Sequence, residues 1–273
     1  AAPCNLTLPN PALPAYIGCQ SKIQFANFTS TQLLYPFNAA GSPVSKTEAG
    51  IHTIRYLPKA NQPLLLLGNN FNNLRYAARS IAIDNTSYRN NQMQNCEVGI
   101  SIANLNFGSA IFDNLNVVTN QFNNCNISLQ AARARLLIDG NLINNTYAPP
   151  SLGSANPIGM FLQGSDFDLR FNQIQYTRCG IALLSNDIDP STVNNNAINA
   201  CGIGVWTLGN NAGVQITCNQ ISNYAIAICA QDYTQPPAET GDLDDQGDCF
   251  LSNLPADNFF QLPITYGSFT GYE

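Results

Sequence analysis

One asparagine recurs through the middle of the sequence at nearly regular intervals, each time with an apolar residue two places later. Successive copies are 22, 29, 21, 31, 24 and 23 residues apart. A period in the low twenties with two longer gaps is typical of a solenoid in which some turns carry loop insertions. The seven positions are Asn69, Asn91, Asn120, Asn141, Asn172, Asn196 and Asn219.

The segments between these asparagines alternate apolar with polar or small residues in short runs. Ile100-x-Ile102 and Ile181-x-Leu183 are examples. A period of two predicts strands with one face inward and one outward, and no run sustains the 3.6-residue period of a helix. Leucine-rich repeats have a similar length, but their Leu-x-x-Leu-x-Leu pattern is missing. The sequence therefore predicts an all-β, single-stranded parallel β-helix of about seven rungs.

The recurring asparagine has a physical role at a turn of such a coil. Asparagine tolerates the left-handed backbone region, and its side chain bonds to nearby backbone groups. Stacked turn on turn, the amides can also bond to each other along the axis, which satisfies buried polar groups. The alternative is that asparagine is merely common in the loops, but seven copies in phase favour a structural ladder.

These units, such as Asn172-Gln173-Ile174 followed by Cys179-Gly180-Ile181, resemble the parallel β-helix repeats of pectate-lyase-like proteins and of secreted bacterial cell-surface proteins. The resemblance covers residues 67–230. It implies a right-handed coil with three strands per rung, in agreement with the usual handedness of parallel crossovers. The closing segment, residues 245–260, is similar to the ends of β-helix proteins exported to the bacterial surface.

The ends of the chain do not follow the repeat. Residues 1–66 are rich in proline and serine, and residues 231–273 carry Pro236-Pro237, an acidic run and an aromatic tail. Because an open solenoid end exposes apolar side chains and strand edges, we predict an N-terminal cap at 1–66, the β-helix at 67–230 and a C-terminal cap at 231–273. The start Ala1-Ala2-Pro3-Cys4 is consistent with a piece excised from a larger polypeptide.

Composition limits the partners. Charged residues make up 10% of the chain and the net charge is -6, which argues against nucleic acid or anionic membranes. No apolar run reaches the length of a membrane span. The partners that remain are a surface polysaccharide or another surface protein.

Nine cysteines without any Cys-x-x-Cys spacing indicate an oxidising, secreted or cell-surface location. We predict that Cys4 pairs with Cys19 and Cys229 with Cys249, one disulfide at each end. Cys96, Cys125 and Cys201 each lie five residues after a repeating asparagine. For these three, a stacked row of small buried residues and a set of disulfides remain equally open.

A row of outward residues is the predicted binding face. In pectate-lyase-like enzymes the substrate lies along the strand after the polar turn, and the Gly-Ile-x-Ile pattern is expected to point the middle residue outward there. Such a row without carboxylates or bases cannot support lyase or hydrolase chemistry, but it lets a covering tail, a second rod or a flat ligand approach closely. The alternative is that small residues occur there only because they crowd least in tightly stacked strands. The predicted row is Ala82, Ser101, Ser128, Phe161, Ala182, Gly204 and Ala227.

Charged residues give few further candidates. Asp139 with Arg170, and Arg135 with Asp166, occupy equivalent places on neighbouring rungs, so we expect surface ion pairs rather than a catalytic pair. His52, the only histidine, has no neighbouring ligand and is predicted to be an ordinary loop residue.

A weak calcium loop is the only cofactor candidate. Asp242, Asp244 and Gln246 partly match the start of a calcium-binding loop, with Gln246 departing from the pattern. An acidic solvated loop is the alternative.

Together these features predict a secreted or surface-displayed β-helix with a structural, adhesive or carbohydrate-binding role and no catalysis of its own. The alternative from another class is a polysaccharide lyase, epimerase or hydrolase built on the same scaffold.

Overall fold

The computed structural model describes residues 22–29, 49–54, 64–81, 85–103, 112–145, 157–186, 191–231 and 258–263. Within these ranges every regular element is a β-strand, and the strand pairs are parallel. Each strand pairs with its counterpart one turn earlier and one turn later. The predicted all-β fold and the parallel β-helix are confirmed.

The first sheet contains one strand from each turn. Along it, side chains alternate between the interior and the surface, as expected for strands with one buried face. Leu66, Tyr88, Val117 and Ile138 are completely or almost completely buried on its inner side. In order across the sheet, its strands are β1 (Lys22–Gln24), β4 (Leu64–Leu67), β7 (Thr86–Arg89), β10 (Phe112–Val118), β13 (Ala134–Asp139), β16 (Asp166–Arg170), β18 (Ser191–Asn194) and β20 (Val214–Thr217).

In the second sheet each turn contributes a short strand, then a bend and a longer strand. The short strands are β2 (Asn27–Thr29), β5 (Asn70–Asn72), β8 (Gln92–Gln94), β11 (Gln121–Asn123) and β14 (Leu142–Asn144). The longer ones are β3 (Ala49–Ile54), β6 (Tyr76–Ile81), β9 (Val98–Ala103), β12 (Ile127–Ala132) and β15 (Ile158–Gln163). In the last turns the two fuse into β17 (Gln173–Leu184), β19 (Ala197–Leu208) and β21 (Gln220–Gln231), and β22 (Phe259–Pro263) pairs with β21.

The interior is filled by side chains from all of these strands. The apolar residue two places after each repeating asparagine points inward and meets a column of small residues on the longer strands. A Cβ atom on Gly99 would lie 2.6 Å from a ring carbon of Phe122. A Cβ on Gly159 would lie 2.4 Å from the carbonyl oxygen of Gly180 and 2.9 Å from Ile174 Cγ2. These glycines are required by close packing across the interior.

The left-handed backbone positions differ from the expectation. None of the seven repeating asparagines has a positive φ; the residue before each of them does, at Gly68, Asn90, Thr119, Gly140, Phe171, Asn195 and Cys218. A second set of positive φ values falls four residues after the asparagine, as at Asn95 and Asn124. The turn therefore bends next to the asparagine, whose own role is hydrogen bonding.

Parallel pairing extends beyond residues 67–230 on both sides. Strands β1 to β3 pair with β4 to β6, and β22 continues the second sheet at the other end. Most residues of the two predicted caps lie outside the described ranges, so the boundaries at 66 and 231 stay a prediction. The described part of the chain contains no helix that could cross a membrane.

Candidate functional site

The seven repeating asparagines form one continuous column at a corner of the coil, here called the asparagine corner. Each Nδ2 donates to the Oδ1 of the next asparagine at 2.9–3.0 Å. The same Oδ1 also accepts the backbone N–H of the earlier asparagine, as in Asn91 to Asn120 at 3.1 Å. The second hydrogen of each Nδ2 goes to a carbonyl of the preceding turn, for example Asn91 to Leu66 at 3.0 Å.

The asparagine corner continues past the predicted residues. Asn219 donates to Asn258 Oδ1 at 3.0 Å, and Asn258 donates in turn to the carbonyl of Ile216 at 2.7 Å. Asn258 was not predicted because it follows Asn219 by 39 residues, outside the period of the other copies. The signal was nevertheless present, since Phe260 lies two places after it.

The predicted binding row is not a single row. Strand register places Ser101, Phe161 and Ala182 together, whereas Ser128, Gly204 and Ala227 belong to the inward-facing column of small residues. Ser128 is completely buried. The prediction was wrong for these three residues because the strand bends at this point and turns two successive residues inward, which shifts the alternation by one. Ala82 lies outside the described residues.

The register defines the true outward row, here called the central row. Its members are His52, Arg79, Ser101, Gln130, Phe161, Ala182, Trp206 and Cys229. On β17 and β19 the side chains next to them, Ile181, Leu183, Val205 and Thr207, are buried. The row is polar in its first four members and apolar or aromatic in its last four. Trp206 was therefore missed by the sequence reasoning, which had counted Gly204 outward in its place.

The surroundings of the apolar half are apolar as well. On one side the flanking residues are Ile158, Ile203 and Ile226 together with the buried Cys179, and on the other Leu184 and Leu208, with Gln163 and Gln231 at the edge. Trp206 Nε1 donates to Gln231 Oε1 at 2.9 Å, which fixes the orientation of the indole. We call Phe161, Ala182, Trp206 and these neighbours the apolar face. No carboxylate lies in it or in the described part of the central row.

The carboxylates instead lie on the outer side of the first sheet. Arg135 Nε and Asp166 Oδ2 are 2.9 Å apart, and Arg170 contacts Asp139 at 3.3 Å and Asp168 at 3.0 Å. Strand pairing puts Arg135 opposite Asp166 and Asp139 opposite Arg170. The pairs of Arg135 with Asp166 and of Arg170 with Asp139 join neighbouring turns, as the spacing predicts, whereas Arg170 and Asp168 lie on the same strand. Each carboxylate of the group already has an arginine partner.

A second corner contains sulfur. Cys96, Cys125, Asn145, Thr177 and Cys201 lie at the turn after the short strand on five successive turns, and we call this column the thiol corner. All five are at most 2% exposed. Asn145 Oδ1 accepts the backbone N–H of Cys125 at 2.9 Å. Asn145 Nδ2 and Thr177 Oγ1, both buried, have no hydrogen-bond partner among the described residues.

The first two thiols of this corner interact directly. Cys125 lowers the pKa of Cys96 by hydrogen bonding to its sulfur. The same contact, together with burial, raises the pKa of Cys125 well above its usual value. Burial alone raises the pKa of Cys201 to about 12. The column is thus a buried row of small polar side chains, and in the described residues none of its cysteines forms a disulfide.

The remaining predicted site residues are not brought together. Cys229 is a free thiol in the central row, while its predicted partner Cys249 lies outside the described residues, as do Cys4 and Cys19. The candidate calcium residues Asp242, Asp244 and Gln246 also lie outside them. His52 is exposed on β3, opposite Arg79. Within the described ranges no three His, Cys, Asp or Glu side chains are close enough to share a metal ion.

Comparison with known proteins identifies one family. A family model described as "Periplasmic copper-binding protein (NosD)" matches residues 29–235. Neither the curated proteins nor the solved structures include a significant match. The periplasmic description confirms the predicted location outside the cytoplasm. Adhesion, carbohydrate binding and lyase chemistry are not part of that description.

Proposed function

The chain belongs to the NosD family of periplasmic copper-binding proteins, and from this premise we propose that it is a non-catalytic binding protein that holds an extended neutral carbohydrate on its apolar face. The observation that carries the proposal is the register of Phe161, Ala182 and Trp206 on three consecutive turns.

The spacing of these residues suits a chain-like ligand. Neighbouring strands lie about 4.8 Å apart, so the two aromatic side chains are about 10 Å apart along the axis. Ala182 between them is small and only 2% exposed, so it does not obstruct a ligand that rests on the two aromatic side chains. Aromatic rings present large, rigid apolar area against the C–H faces of sugar rings.

The amide side chains at the edge of the apolar face suit the hydroxyl groups of a sugar. Gln130 precedes the aromatic pair in the central row, and Gln163 and Gln231 lie beside it. Amide side chains both donate and accept hydrogen bonds, as hydroxyl groups require. The absence of carboxylates and bases from the described part of this face supports binding without bond cleavage, and the net charge of -6 favours a neutral over an acidic glycan.

The test is affinity electrophoresis through gels containing hydroxyethyl cellulose or polygalacturonate, combined with an assay for new reducing or unsaturated ends. We expect retardation by the neutral polymer, no new ends, and at least a tenfold loss of affinity in Trp206→Ala and Phe161→Ala. Phe171→Ala is the matched control, because Phe171 is an exposed aromatic residue at the asparagine corner, where the apolar face has no residue. Turnover abolished by Asp139→Asn or Arg170→Ala would instead favour the enzyme alternative.

Copper binding, which the family description names, is the second candidate function. The donor chemistry of the chain restricts where copper could go. The sequence has one histidine and two methionines. Met93 and Met160 lie in the hydrophobic core, as Cys96, Cys125 and Cys201 do, and His52 belongs to no group of three His, Cys, Asp or Glu side chains in the described structure. Thiol groups are therefore the main soft ligands, and soft ligands select copper(I).

A further inference from the structure

Two of the thiols are placed as a pair. Cys96 and Cys125 occupy the same corner on consecutive turns, and the backbone N–H of Asn126 bonds to the carbonyl of Cys96 at 3.1 Å. Both side chains are at most 1% exposed. The column continues with Leu74 on one side and Asn145 on the other, so no third thiol is adjacent to the pair.

The distance between consecutive turns fits a two-coordinate metal. Strands lie about 4.8 Å apart in the hydrogen-bonding direction. Two metal–sulfur bonds of about 2.3 Å placed end to end span about 4.6 Å. The spacing of consecutive turns therefore matches a monovalent ion held by two thiolate ligands.

A third residue, Asn145, is placed to stabilise a charged or metal-bound sulfur. Asn145 lies on the turn after Cys125, and its Oδ1 is held by the Cys125 backbone N–H at 2.9 Å. This bond fixes the amide beside Cys125 and leaves the buried Nδ2 without a partner among the described residues. An unpaired buried donor is unfavourable, and a metal-bound sulfur is an acceptor that it could use.

We propose that Cys96 and Cys125 hold one copper(I) ion between two turns of the coil, with the amide of Asn145 as a supporting donor. The proposal rests on copper binding as the second candidate function and assigns its site. Binding displaces both thiol protons to solvent. Two thiolates and one monovalent ion leave a single negative charge, which the amide of Asn145 stabilises. Asn95, Glu97 and Asn126, next to the two cysteines, are half-exposed, so local opening of the turn gives access.

The experiment is an anaerobic competition between the full, reduced chain and the copper(I) chelator bicinchoninate, with X-ray absorption to identify the ligands. We expect one tightly held copper(I) with two sulfur neighbours. Cys96→Ala and Cys125→Ala should each weaken binding at least 100-fold. Asn145→Asp, which keeps the oxygen that accepts from Cys125, should weaken it about tenfold.

The matched controls are Cys179→Ala and Cys201→Ala, which remove equally buried thiols on other turns and should leave copper(I) affinity unchanged. Circular dichroism of every variant reports whether it is folded. If the chain retains no copper(I), both the site and the second candidate function are wrong. If it retains copper(I) equally well in folded Cys96→Ala and Cys125→Ala, copper binding stands and the assigned site is wrong.

Discussion

The asparagine corner and the thiol corner are both bends of the coil, but they use their side chains in opposite ways. The asparagine corner repeats one residue, and every amide bonds both to its neighbours in the column and to the backbone of the preceding turn. The thiol corner changes residue at almost every turn and contains two buried polar atoms without partners in the described structure. One corner sets the register of the turns, and the other leaves room for variation.

The difference follows from what each corner must satisfy. At the asparagine corner the backbone N–H of each repeating asparagine has no strand partner and bonds to the side-chain oxygen of the next turn. A residue without a side-chain acceptor would leave this buried donor unpaired. At the thiol corner the backbone N–H of Cys125 also bonds to a side-chain oxygen, that of Asn145, but the column holds a leucine, thiols, an amide and a hydroxyl, so it does not require one residue type.

The largest effect is expected where the asparagine corner is interrupted at its middle. Asn141→Ala removes the acceptor of the backbone N–H and Nδ2 of Asn120, and the donor to the carbonyl of Val117. Each buried group left unpaired costs about 1–3 kcal/mol, so the loss in unfolding free energy should be about 3–5 kcal/mol. Urea denaturation measures it. Asn144→Ala, three residues away and exposed, should change the midpoint little, and equal midpoints for the two variants would contradict the account.

The thiol corner should make the free energy of unfolding depend on pH, which the asparagine corner cannot do. Burial raises the pKa of Cys201 to about 12, while a thiol in the unfolded chain titrates near about 8.5. The folded state therefore holds this proton more tightly. Its stabilising effect is complete below about pH 8.5 and falls by up to about 1.4 kcal/mol per pH unit as the pH rises towards 12.

Urea denaturation between pH 8 and pH 11 tests this effect. Cys201→Ala should reduce the decline in stability with pH, whereas replacing the exposed Cys218 by alanine should not. An unchanged slope in Cys201→Ala would show that the thiol corner is not as inaccessible to solvent as the structure indicates.

The contrast between the corners also explains what the sequence could predict. The asparagine column was visible because its geometry demands one residue type at a fixed place in each turn. The ion pair between Arg135 and Asp166 was visible for the same reason, since strand pairing aligns equivalent positions. The hydroxyl and amide of the thiol corner were not visible, because that position accepts several residue types.

The outward row shows where pattern counting fails. Alternation predicts Gly204 outward, but the strand bends between Ile203 and Val205, so Gly204 points at Ile221 in the interior. Trp206 then becomes the outward residue. No local sequence signal marks the bend, since it arises from the packing of the small residue against a side chain one turn further along the chain.

The smallest effect on stability is expected at Thr177. Its sign distinguishes the thiol corner from the asparagine corner. Its buried hydroxyl has no partner among the described residues, so Thr177→Val keeps the shape and removes an unsatisfied group. The variant should be as stable as the parent or more stable by up to about 1 kcal/mol. Thr192→Val is the matched change, because the Thr192 hydroxyl donates to Asp168 at 3.0 Å, and it should destabilise by about 0.5 kcal/mol. Destabilisation of Thr177→Val by more than Thr192→Val would mean that a water or ion bonds to the hydroxyl, and that the thiol corner is as fully satisfied as the asparagine corner.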